Sequence, residues 1–264
     1  MATEYNFNLT NLPERSFRPR RDGVTMVMDK GLSLRQAEDF LDASSDYVDF
    51  VKLGFGTSIV SKNVKEKIKL YKNAGMKVYV GGTLFEAFVI RNKFEDYLRY
   101  IDDLGLDSAE VSDGSIELDH DQKCNYISEL AKNYTVLSEV GSKEEGVIIH
   151  PARWIKMMQN ELSAGAFKVI AEARESGTVG IYHKNGSAHS MLITRIVNKV
   201  KSENIIWETP QKSQQVYFLK LFGCNVNLGN IAVDDVIPLE TLRLGLRGDT
   251  FFTFLPESIK QPLN

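Results

Sequence analysis

SAEVSDG, residues 108–114, sets small or apolar Ala109 and Val111 in alternation with Glu110 and Ser112, then stops at Asp113-Gly114. A period of two is the signature of a strand, and it turns the apolar pair to one face and the polar pair to the other. Seven more short β-branched or apolar runs end in charged, amide or glycine residues in the same way: Thr25 to Lys30 (TMVMDK), Asp49 to Gly56 (DFVKLGFG), Lys77 to Thr83 (KVYVGGT), Thr135 to Gly141 (TVLSEVG), Phe167 to Gly177 (FKVIAEARESG), Ile205 to Gln211 (IIWETPQ) and Val226 to Ala232 (VNLGNIA). Each is followed by an amphipathic helical stretch. Eight such alternations are what a closed (β/α)8 TIM barrel of the α/β class requires, and in that fold the chemistry lies at the C-terminal ends of the strands.

Local chemistry marks the helix boundaries. Ser33 and Gln36 form the S-x-x-Q pattern of a capping box ahead of the apolar face Leu34, Ala37, Phe40 and Leu41. Gly75, Gly105, Gly165 and Gly223 each close a helical stretch just before a strand, the place of a left-handed helix terminator. The remaining helices are predicted near residues 64–74, 94–104, 122–132, 152–163, 191–201, 213–222 and 239–246. Two longer loops, 143–149 and 177–189, are expected to cover a site.

A length of 264 residues suits one barrel domain, read as residues 23–255 between an N-terminal extension (1–22) and a C-terminal tail (256–264). The extension carries Arg15, Arg18, Arg20 and Arg21 and is expected to cover the barrel bottom or a neighbouring subunit. A net charge of −3 gives no general pull toward nucleic acid or an anionic membrane. Cys124 and Cys224 make neither a disulfide framework nor a zinc ribbon. With no secretory signal or apolar span of about 18 residues, the expectation is a cytoplasmic enzyme.

Strand alternation sorts the polar residues. Glu110 and Ser112 turn inward, and the same rule sends Glu139, Glu172, Arg174, Glu208, Lys52 and Asp29 into the barrel mouth, with Asn227 as a further inward residue. An unpaired buried charge costs several kcal/mol, and clustered carboxylates repel unless cations compensate them. Two readings follow: internal ion pairs through Lys52 or Arg174, or a hard divalent cation such as Mg²⁺ held by a few carboxylates and an anionic substrate. His120, His150, His183 and His189 have no metal-binding spacing. Gly81 and Gly82 fit either an anion cradle or close packing at a strand end. Arg247, beyond the last strand, is a candidate phosphate clamp or the ion-pair partner of Asp249.

These strand ends also carry a resemblance. DKG at Asp29, DFVKLGFGTS at Asp49, GGTLFE at Gly81, EVSDG at Glu110, SEVGSK at Ser138, EARESG at Glu172, ETPQKSQQ at Glu208, NLGNIA at Asn227 and ETLRLGLRGDTF at Glu240 together resemble the phosphosulfolactate synthase family over nearly the whole chain after the extension. The resemblance implies a (β/α)8 barrel and a Mg²⁺-dependent addition of sulfite to phosphoenolpyruvate, giving (R)-2-phospho-3-sulfolactate in coenzyme M or sulfolactate biosynthesis. It implies Lys143 as the proton donor and Glu139 and Arg174 as further catalytic residues. Glu110, Glu139, Glu172 and Glu208 are then metal ligands or organisers, and Lys52, Gln211, Lys212 and Arg247 meet the substrates. It further implies a homo-oligomer, such as a trimer. It extends to plant heat-stress-associated proteins and to bacterial relatives whose reaction is less clear, so a barrel enzyme acting on another phosphorylated carboxylic acid and a non-catalytic protein stand as alternatives.

Overall fold

The computed structural model describes residues 5–141, 150–173 and 176–260. Every one of the eight runs carries a strand: β1 (Thr25–Asp29), β2 (Phe50–Leu53), β3 (Lys77–Val80), β4 (Ser108–Val111), β5 (Thr135–Val140), β6 (Lys168–Ala171), β7 (Ile205–Glu208) and β8 (Leu228–Ile231). Among the described residues the α-helices are α1 (Leu34–Ser44), α2 (Thr57–Val60), α3 (Val64–Asn73), α4 (Gly82–Val89), α5 (Phe94–Asp103), α6 (His120–Leu130), α7 (Pro151–Ser163), α8 (Ser190–Val197), α9 (Lys212–Phe222) and α10 (Val236–Arg243). Parallel pairing runs in the order β3-β2-β1-β8-β7-β6-β5-β4, and β3 stands beside β4. The result is a single-domain, nearly closed TIM barrel whose seam falls between β3 and β4.

Alternation along the strands divides the core in two. Val27, Val51, Val78, Ala109, Val136, Val169 and Trp207 face the helices, while Met26, Phe50, Tyr79, Leu137, Ile170 and Ile206 fill the barrel interior. Fully burying a side chain of this kind contributes roughly 1.5–3 kcal/mol. This apolar plug supports the polar residues above it.

The helix signals hold where local chemistry supplies them. Gln36 N donates to Ser33 Oγ at 3.3 Å and Ser33 N to Gln36 Oε1 at 3.0 Å, a complete capping box. Gly75, Gly105, Gly165 and Gly223 all take positive φ. The last helix starts three residues earlier than expected, at Val236, and α4 is an addition. Its first residue is Gly82, and a glycine pair reads as a turn because glycine disfavours helix interiors.

The N-terminal segment closes the bottom of the barrel. Arg15 Nε donates to Glu240 Oε1 at 2.8 Å and Nη1 to Asn225 Oδ1 at 2.5 Å. Arg18 donates to the carbonyl of Ala74 at 2.6 Å and Arg20 to Asp49 Oδ1 at 2.9 Å. Asn227 belongs here as well: it accepts from Val24 N and donates to the carbonyls of Glu203 and Ile205, knitting the starts of β1, β7 and β8.

Asp29 corrects the inward assignment. Its Oδ2 lies 2.7 Å from Lys67 Nζ and 2.9 Å from Tyr71 OH, both on α3, while Oδ1 accepts from Gly31 N and Leu32 N. It faces the helices and fixes the turn after β1. In TMVMD both faces are apolar, so the pattern alone does not say which one carries the aspartate.

Candidate functional site

Four strands bring a glutamate to the mouth of the barrel. Glu110, Glu139, Glu172 and Glu208 are at most 3% exposed, and β2 brings Lys52 in among them. Lys52 Nζ stands 3.0 Å from Glu110 Oε1, 3.4 Å from Glu139 Oε2 and 3.6 Å from Glu208 Oε1. Burial by itself would lower this ammonium, but Glu110, Glu139 and Glu208 outweigh it and hold Lys52 well above the ordinary lysine value. The lysine stays charged.

Burial pushes the Glu208 carboxyl up to about 7 against the pull of Lys52, with Glu139 adding to the rise. Glu139, Glu172 and Glu208 each present an oxygen within 4.8 Å of the others. They line a cavity of about 320 Å³ together with Met28, Lys52, Gly54, Phe55, Gly81, Gly82, Thr83, Ser176 and Asn230. Mg²⁺ takes six oxygens at about 2.0–2.1 Å, which separates them by roughly 3–4 Å. Glu139, Glu172 and Glu208 are the residues that could hold such an ion, their side chains closing in from within 4.8 Å.

Glu110 stands apart from the trio. Its Oε1 accepts from Gly82 N at 2.5 Å, across the seam between β3 and β4. A Cβ on Gly82 would lie 2.4 Å from Ser112 Cβ and 2.7 Å from Glu110 Oε1, so only glycine permits this approach. The anion that this glycine amide meets is therefore the protein's own. Beside it, Ser112 Oγ lies 2.5 Å from Glu86 Oε1 and 2.9 Å from Glu139 Oε1, so side chains stitch the seam where the strand ladder ends.

Behind β5 a buried ion network holds Glu139 in position. Lys123 Nζ donates to the Glu139 carbonyl at 2.6 Å and pairs with Asp113 at 2.8 Å and Glu161 at 3.0 Å. Ser138 Oγ completes it by donating to Glu161 Oε2 at 2.6 Å. On the other flank, residues 176–189 dock on the strand ends, as expected of a covering loop. Ile181 N donates to the Glu172 carbonyl at 3.1 Å and Tyr182 OH to the Glu208 carbonyl at 2.7 Å.

The remaining expected residues lie elsewhere. Lys143 and Arg174 fall outside the described residues. Gln211 caps α9 and donates to the Ser176 carbonyl at 2.7 Å, one step back from the cavity. Lys212 pairs with Asp249 at 3.0 Å on the surface. Arg247 acts electrostatically on Asp235 and Asp249 and is not in the cavity lining. Sequence reasoning passed over Glu86 and Asn230. The first sits on the unexpected helix α4, and the second on a bulge that breaks the alternation of β8.

Comparison with known proteins agrees with this architecture. Residues 13–249 match the family described as (2R)-phospho-3-sulfolactate synthase. The phosphosulfolactate synthase of Methanothermobacter thermautotrophicus is 43% identical over 90% of this chain and 95% of its own. That of Methanocaldococcus jannaschii is 46% identical over 87% and 94%, and that of Bacillus subtilis 40% identical over 91% and 97%. The Arabidopsis thaliana protein HEAT-STRESS-ASSOCIATED 32 is 22% identical over 87% of the chain and 88% of its own. The 3-hexulose-6-phosphate synthase of Salmonella typhimurium superposes with a TM-score of 0.53 at 18% identity, over 85% of this chain and all of its own, a likeness of fold alone. The family match and the three relatives of at least 40% identity over most of the chain make this protein an enzyme that belongs to the phosphosulfolactate synthase family.

Proposed function

We propose that the chain catalyses the Mg²⁺-dependent addition of sulfite to phosphoenolpyruvate, yielding (R)-2-phospho-3-sulfolactate. The observation that carries this reading is the Glu139, Glu172 and Glu208 trio, gathered within 4.8 Å in a buried mouth that also holds Lys52. Two highly anionic reactants need positive charge at this mouth, and a cation on the carboxylates would add to that of Lys52. Bound by one or two of these carboxylates, Mg²⁺ would stabilise the negative charge that develops on the substrate carboxylate.

The protein's own groups bind, orient and supply protons. Sulfite sulfur supplies the electron pair for a new bond to the methylene carbon, and the π pair of the enol phosphate moves into the carboxylate. A proton then reaches the carbon that bears the phosphate, and no group leaves. Lys52 supplies a fixed positive charge for an anionic oxygen, and Arg174 a second. Lys143 is assigned the proton delivery, the role that the resemblance of SEVGSK to the family implies. The Lys123 network and the 176–189 loop fix the backbone carbonyls of Glu139, Glu172 and Glu208.

The test is direct. Purified protein incubated with phosphoenolpyruvate, sulfite and Mg²⁺ should form phosphosulfolactate, followed by phosphorus NMR. Chelation should stop the reaction and added Mg²⁺ restore it. Absence of product at high enzyme concentration would overturn the assignment, and full activity of Lys143→Ala would remove that lysine from the role of acid.

A further inference from the structure

NLGNIA contains a residue that alternation sends to the wrong face. Leu228 and Ile231 both pack toward the helices, three residues apart where two or four would keep the phase of a regular strand. The pairing with β1 shows why: Thr25 faces Leu228 but Val27 faces Ile231, so β8 carries one extra residue. Gly229 accommodates the bulge, since a Cβ there would lie 2.7 Å from Met26 Cε and 2.8 Å from Ile206 Cγ2. Asn230 takes φ 55, and its N–H is left with Met26 Sδ at 3.4 Å. Bulges of this kind re-aim one side chain, and they gather beside active sites.

Asn230 is aimed into the cavity. It lines the same mouth as Glu208 and Lys52, is 7% exposed, and among the described residues its Oδ1 has no hydrogen-bond partner. A buried carboxamide without a partner is costly, and so is left-handed backbone at a residue with a side chain. The two coincide on one residue at the mouth.

We infer that Asn230 is a substrate-binding residue: its carboxamide takes an anionic oxygen, carboxylate or phosphoryl, of the bound phosphorylated acid. A half-turn about its terminal bond exchanges Oδ1 for the Nδ2 donor. A neutral donor suits this position because it binds an anion without adding charge beside Glu208. The ligand's identity rests on the function proposed above, whereas the residue's role is separable from the reaction.

The bland explanation is that asparagine is kept because it tolerates positive φ. Asn230→Gly separates the two, because glycine takes this backbone without strain and the variant should melt at or above the wild-type temperature. With Mg²⁺ present, its affinity for phosphoenolpyruvate by calorimetry should fall roughly tenfold or more, the loss of one hydrogen bond to a charged group. Asn230→Asp keeps the shape and adds a repelling charge, so it should bind more weakly still. Wild-type affinity in both variants would overturn the inference. Wild-type protein that binds phosphoenolpyruvate and forms no phosphosulfolactate would sink the proposed reaction while the comparison of Asn230 variants stands. No binding to the wild type would overturn both.

Discussion

The two ends of this barrel bury the same kinds of charge to opposite effect. At the bottom, Arg15 meets Glu240, Arg20 meets Asp49, and Arg243 donates to the carbonyls of Cys224 and Val226 at 2.7 Å. Lys168 likewise spends its ammonium on the carbonyls of Arg21 and Glu203. Each cation there has a protein acceptor. At the mouth, four buried carboxylates gather around one described ammonium, and Glu208 is pushed up to about 7 by its burial. The buried charges at the bottom tie segments of the chain together, whereas those at the mouth line the cavity. In barrels the first belongs to the N-terminal face and the second to the C-terminal face.

Substitutions at the two ends should therefore separate activity from stability. The largest effect is expected from Lys52→Met. It removes a cation that meets three carboxylates, and turnover in the sulfite assay should drop about 10²- to 10³-fold, the usual cost of losing a preorganised electrostatic contact. Its melting temperature should fall as well, and further at pH 8 than at pH 5, where protonation of Glu208 relieves the crowding. Full activity in this variant would break the contrast at the mouth.

Arg15→Met at the other end leaves Glu240 buried without its partner. Breaking a buried pair from one side costs about 3–5 kcal/mol, measurable by denaturant unfolding. Turnover of the fraction that stays folded should match the wild type. A selective loss of turnover would mean that the bottom plug also serves the site.

The boundary between legible and hidden features follows the same physics. The eight strands are readable from their abrupt polar ends, and the inward glutamates of β4 and β5 from Ala109, Val111, Val136 and Val140, which mark the opposite face of those two strands. Asp29 was misplaced because Met26, Val27 and Met28 offer two apolar faces. Asn230 escaped because one inserted residue shifts the phase of β8, and nothing in NLGNIA signals where the insertion falls. Glu86 was invisible until α4 was known, since a helix opening on Gly82 contradicts propensity and exists through packing against β4. The charges at the bottom were the least readable of all. Arg15 finds Glu240 across 225 positions, a distance over which local pattern carries no information.

A pH series sharpens the contrast further. The folded Glu208 carboxyl titrates near 7, above its ordinary 4.5. Between these values the folded chain holds a proton that the unfolded chain has released. Its contribution to stability is complete below about pH 4.5 and disappears as pH rises through 7. Metal-free protein should accordingly lose stability from pH 5 to pH 7.5, and Glu208→Gln should flatten that part of the profile. An identical slope in wild type and variant would assign the effect to another group.

The smallest effect tests whether the division is really between the two ends or between residues that line the cavity and residues that do not. Ser33 lies on the mouth side, after β1, yet its capping box with Gln36 is complete and exposed. Ser33→Ala removes the side-chain acceptor for an otherwise orphaned helix amide and should cost about 1 kcal/mol in unfolding free energy. Turnover and Mg²⁺ dependence should stay at wild-type values, because nothing in the cap touches the glutamates or Lys52. If they do, contact with the cavity decides which residues serve function, and position along the barrel axis only correlates with it. A tenfold fall in turnover from so remote a cap would instead mean that the whole rim after β1 is coupled to the cavity.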